Sequence, residues 1–84
     1  MLKLEPIIKL LAEVIEDRTV PRNIRTAIEN VKKDLEDDKK DIDVKLSSAI
    51  SILDEVINDP NIPMYTRTQI WNIVSMLEGL KGEK

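Results

Sequence analysis

Arg18, Arg22 and Arg25 fall within eight residues of one another, with Asn23 among them, in the stretch DRTVPRNIRT from Asp17 to Thr26. Guanidinium groups at the start of a helix suit a phosphate or a carboxylate. The first amides of the helix are unpaired there, and its dipole favours negative charge. Two glutamates, Glu13 and Glu55, occupy matching places in the two halves of the chain, and paired carboxylates inside a helical bundle can hold two metal ions. The run Asp34, Glu36, Asp37, Asp38, Asp41 and Asp43 raises the question of calcium. It lacks the central glycine and terminal glutamate of an EF-hand loop, and Lys39 and Lys40 interrupt it. Ser47, Ser48, Ser51 and Ser75 are the serine hydroxyls, and no base is marked beside any of them.

The rest of the catalytic repertoire is missing. With no histidine, the commonest acid–base group and metal ligand is absent; with no cysteine, so are thiolates and disulfides. The two glycines, Gly79 and Gly82, cannot build a phosphate-cradling loop. The chain therefore reads as non-enzymatic, with no catalytic residue, no cofactor and no metal.

The arginines also admit a structural reading. Forty-two residues after DRTVPRNIRT the chain writes DPNIPMYTRT. Aspartate, proline and Arg-Thr recur in register as Asp17, Pro21 and Arg25, then Asp59, Pro63 and Arg67. An aspartate that ends one helix lies close to the second turn of the next across a tight corner. An arginine there reaches the aspartate or the free carbonyls that end the first helix. This corner clip is the preferred reading of the repeated residues. Arg18 and Arg22 remain over, because they face Pro60 and Met64 in the second copy.

The elements that position these groups come from the same repeat. Between Leu11 and Glu36, twelve of twenty-six residues are identical to those forty-two positions on. The repeat spans 7–36 and 49–78, the mark of a duplicated unit. In the first copy Ile7, Leu10, Leu11, Val14 and Ile15 recur at helical spacing, with Leu4 and Ile8 widening the stripe. Thr19 is expected to cap a second helix carrying Ile24, Ala27, Ile28, Val31 and Leu35, with Pro21 in its first turn. A third helix carries Leu46, Ala49, Ile50, Leu53, Val56 and Ile57. A fourth, capped by Asn61, carries Thr66, Ile70, Ile73, Leu77 and Leu80 and frays from Gly79. The linker 37–43 is solvated, and Asp43 is expected to cap the third helix. Short connections set consecutive helices antiparallel. The reading is all-α: residues 1–84 as one domain, a four-helix up-and-down bundle made of two repeated helical hairpins.

Composition narrows the partners. A net charge of -3 opposes nucleic acid and anionic membrane. No apolar run approaches the length of a spanning helix, and Glu5 and Pro6 interrupt the start as a secretory signal. A cytoplasmic protein is expected. Met64, Tyr65 and Trp71 stand where the first copy has Arg22, Asn23 and Glu29. The preferred reading seats Trp71 over the open end of the core, against the first helix. The alternative makes the three an anchor for a protein partner, as such residues are enriched in interface cores. An apolar face on the first helix broader than its neighbours can cover would add a homodimer.

With PRNIR at Pro21–Arg25, DPNIP at Asp59–Pro63, RTQIW at Arg67–Trp71 and SMLE at Ser75–Glu78, the chain resembles a small uncharacterised archaeal family of four-helix-bundle proteins, a family from structural genomics. The resemblance covers most of the chain. It implies an archaeal cytosolic helical bundle and supplies no activity and no site residues. The functional expectation is a small protein–protein interaction or structural module, possible as a homodimer, with Met64, Tyr65 and Trp71 as its surface. The alternative is an accessory nucleic-acid or phosphate-ligand binder acting through Arg18, Arg22 and Arg25.

Overall fold

A computed structural model describes residues 4–82 of the chain. Four helices follow in order: α1 (Glu5–Glu16), α2 (Arg22–Glu36), α3 (Ile42–Ile57) and α4 (Met64–Lys81). Contacts join α1 to α2, α2 to α3, α3 to α4 and α4 back to α1. Among the described residues the diagonal helices do not meet, so the bundle is a square with up-and-down connections. Its principal extents are 35 × 20 × 19 Å.

The repeat is written in the core. Leu11 and Leu53, Val14 and Val56, Ile28 and Ile70, Val31 and Ile73, and Leu35 and Leu77 are all buried. Ile7 pairs with Ala49 in the same way, and Ile24 with Thr66. Each buried aliphatic side chain removed from water contributes about 1.5–3 kcal/mol, so these positions carry the fold. Thr66 is the odd member. It is fully buried, and its Oγ1 finds no hydrogen-bond partner.

Helix starts differ from the sequence expectation by about two residues. Thr19 does not cap α2; its N–H and its hydroxyl both donate to Asp17 Oδ1, at 2.9 and 2.6 Å. Asn61 likewise donates its N–H to Asp59 Oδ1 at 2.8 Å. Each polar residue is turned back on to the preceding aspartate, and Pro21 and Pro63 become the N-caps rather than first-turn residues. α3 is capped by Asp41, which accepts from the Asp43 amide at 2.9 Å, so the linker ends at Asp41 and not at Asp43. α4 continues through Gly79 to Lys81 rather than fraying.

Candidate interaction surface

The three corners share one geometry. Asp17, Asp37 and Asp59 stand where a helix ends, and each accepts the backbone N–H two residues ahead, from Thr19, Lys39 and Asn61. Aspartate favours such turns because its carboxylate substitutes for a backbone acceptor. Four residues on, the carbonyls of Pro21, Asp41 and Pro63 accept the amides of Arg25, Lys45 and Arg67, each at 3.0 Å. Thus a cation stands eight residues after each of these three aspartates.

Two of these cations close their corners. Arg67 Nε donates to the Ile57 carbonyl at 3.1 Å and Nη2 to the Asp59 carbonyl at 3.0 Å. Lys45 Nζ donates to the Leu35 and Asp37 carbonyls at 3.2 and 2.9 Å. The acceptors sit ten and eight residues back in both cases, so the two clips are the same device. They satisfy carbonyls that the end of a helix leaves open. Lys45 is only 6% exposed, so its long stem fills the base of the core while its charge is spent on the corner.

Arg25 occupies the equivalent place at the first corner without making those bonds, and its Nε is buried with no partner. It acts there through charge. The Asp17 carboxyl is held below its ordinary value of 3.8, chiefly by the Thr19 hydroxyl and amide, with a smaller contribution from Arg25. Arg18 and Arg22 are exposed. The up-and-down path brings the corners at 17–21 and 59–63 to one end, so all four arginines gather there. The described lysines, including Lys32, Lys39, Lys40 and Lys81, lie toward the other.

Among the described residues no three acidic or other metal-ligating side chains converge. Glu13 and Glu55 are both exposed. In the linker, Lys40 Nζ meets Asp34 Oδ1 at 2.8 Å; that hydrogen bond raises the Lys40 pKa above its ordinary 10.5.

The outward face of α4 is of another character. Met64, Tyr65 and Trp71 are 72%, 70% and 58% exposed. Trp71 therefore does not cover the core. Its place in the repeat is that of exposed Glu29, while its neighbours Ile70, Ile73 and Val74 are the buried ones. Thr68, Asn72 and Ser75 complete the face, and all are exposed. From Met64 to Ser75 the only charged side chain of α4 is Arg67, which is turned back on to the corner carbonyls. A face with Trp, Tyr and Met and no charge carries the composition of an interface core rather than of a solvated helix. The broad apolar side of α1, by contrast, is mostly absorbed: Leu4, Leu10 and Ile15 pack against the core. Ile8 remains partly exposed in a shallow groove with Pro6, Ala12 and Glu36.

Lys45 is the site residue that sequence reasoning passed over. Its signal was present: DDKKDIDVK aligns with DRTVPRNIR from aspartate to cation.

Two solved structures are similar along nearly their whole length. The crystal structure of the Methanococcus unknown-function protein MMP1188 is 48% identical, with 94% of this chain and 90% of that one covered and a TM-score of 0.87. That of a Thermoplasma acidophilum protein from an uncharacterised family is 36% identical, covering 92% and 91%, with a TM-score of 0.88. No curated protein matches the chain. Both solved relatives are archaeal and neither has a stated activity. Residues 2–80 match one family model, and the chain belongs to that family, the uncharacterised protein family UPF0147.

Proposed function

We propose that this protein is a small non-enzymatic interaction module of the cytoplasm that docks a protein through the outward face of α4. The observation that supports this is the uncharged stretch Met64, Tyr65, Thr68, Trp71, Asn72 and Ser75, exposed on a chain in which 35% of residues are charged. Solvating a Trp, a Tyr and a Met on one helix face costs free energy that a covering partner recovers. Among the described residues no helix is long and apolar enough to cross a membrane.

The test is an affinity capture from native extract with Trp71→Ala beside the unaltered chain, each shown folded by circular dichroism. A bound protein lost with Trp71→Ala supports the module. Capture indifferent to that change removes the α4 face from consideration.

The gathering of the arginines at one end favours a second reading, an anion-binding accessory role for Arg18 and Arg22 with Arg25 beside them. Binding of this kind to nucleic acid falls steeply with salt and weakens in Arg22→Ala. The net charge of -3 opposes it. Nuclease-sensitive capture that is lost in Arg22→Ala would favour this reading over the first.

A further inference from the structure

The outward face of α4 has an internal order. Met64, Thr68, Trp71 and Ser75 follow one another at steps of four, three and four residues. That is the spacing of a coiled-coil seam, in which each seam residue packs into a hole formed by four residues of the facing helix. Along this seam large and small alternate: Met, Thr, Trp, Ser. In a parallel pairing each large residue would meet its own copy, Trp against Trp and Met against Met. In an antiparallel pairing about a twofold axis between Gln69 and Ile70, Trp71 meets Thr68 of the other copy, and Met64 meets Ser75. Every large side chain then enters the space left by a small one, twice over, as an isologous interface requires.

Two further features fit the same arrangement. The Thr68 hydroxyl already donates to the Met64 carbonyl at 3.2 Å, so the residue set opposite the indole brings no unpaired hydroxyl donor. No charge lies on the seam between Met64 and Ser75, so bringing two copies together sets no like charges against each other. The corresponding face of α2 has Arg22, Thr26, Glu29 and Lys33 at these positions. It carries charge at three of the four places and closes a Glu29–Lys33 ion pair at 3.7 Å instead.

We infer that the partner of the α4 face is a second copy of this chain, paired antiparallel through Met64, Thr68, Trp71 and Ser75. The inference rests on the reading of that face as a docking surface and adds its occupant and register.

The chain offers convenient probes, having a single tryptophan, which lies at the centre of the seam, and no cysteine. Sedimentation equilibrium of the full chain should show a monomer–dimer equilibrium, with Trp71 emission moving to longer wavelength on dilution. Oxidising a mixture of Met64→Cys and Ser75→Cys chains, distinguished by tags, should cross-link unlike chains only. Two like positions 64 lie about 16 Å apart along the axis in this register, beyond disulfide reach. Trp71→Thr should lose the dimer, and the exchange Thr68→Trp with Trp71→Thr should regain it. Circular dichroism shows that each variant is folded. A chain monomeric at every concentration, or cross-links between like chains, overturns the inference. The capture experiment separates the two levels. A monomer that still loses a captured protein with Trp71→Ala refutes the second copy and leaves the docking face standing. A monomer that captures nothing refutes both.

Discussion

The outward faces of α2 and α4 occupy the same place in the repeat and are opposite in kind. Toward the core they agree: Ile28 matches Ile70, Val31 matches Ile73 and Leu35 matches Leu77, all buried. Toward solvent, Arg22, Glu29 and Lys33 of α2 stand where α4 has Met64, Trp71 and Ser75. One small detail persists on both faces. Thr26 and Thr68 each donate a hydroxyl to the carbonyl four residues back, at 3.0 and 3.2 Å. The difference teaches that packing holds the two hairpins to one inner pattern while leaving the outer faces free to diverge. A surface change away from special features costs at most about 0.5 kcal/mol, whereas a core truncation costs several.

Breaking the inner agreement should have the largest effect. Leu11→Ala and Leu53→Ala should each lower the unfolding free energy by about 2–5 kcal/mol in urea denaturation. The two losses should be similar, because both side chains are fully buried at equivalent sites. A loss confined to one hairpin would break the equivalence of the halves.

The corners come next, and they sharpen the comparison because their cations differ. Arg67→Met and Lys45→Met each remove charge-assisted bonds to two carbonyls, and each should cost about 1.5–3 kcal/mol. Arg25→Met removes only an electrostatic attraction to Asp17 and should cost less than about 1 kcal/mol. Equal losses at Arg25 and Arg67 would show that the first corner is closed in solution as the third one is. Thr66→Val should leave stability unchanged or raise it by up to about 1 kcal/mol in the same measurement. It replaces a buried hydroxyl without a partner by a group of similar size, at the place where the first half has Ile24.

The smallest effect is that of pH. The carboxyl of Asp17 has a lower pKa in the folded chain than its ordinary 3.8, because Thr19 donates two hydrogen bonds to it. Its stabilising contribution is therefore complete above pH 3.8 and is lost as pH falls through the lower folded value. Asp17→Asn should flatten the acid limb of the stability curve there, and the carboxyl resonance should titrate below the random-coil position. At the other extreme Lys40, whose pKa is raised by Asp34, contributes stability that is lost as pH climbs above 10.5.

Much of this molecule was legible before any coordinates. Apolar residues at three- and four-residue steps, repeated forty-two positions on, required four amphipathic helices, and short connections required them to run antiparallel. The repeated aspartate, proline and arginine marked two corners. The middle corner escaped because its cation is Lys45 and its loop is dense in charge. Such a run ordinarily stays in water, whereas here the Lys45 stem is covered and its ammonium meets two carbonyls. The helix starts slipped by two residues because Asp17, Asp59 and Asp41 each accept the N–H of the expected cap itself, Thr19, Asn61 or Asp43.

Sequence by itself thus determined the class of fold, the pairing of the halves and the absence of His and Cys chemistry, because periodicity and composition are properties of the chain alone. Only the tertiary structure decided which way Trp71 points, that Lys45 closes a corner and that Arg25 does not. Those outcomes depend on which helix faces which neighbour, and on whether a carbonyl ten residues away lies within reach of a donor. No local pattern contains that information, because an exposed face and a covered one can have the same spacing.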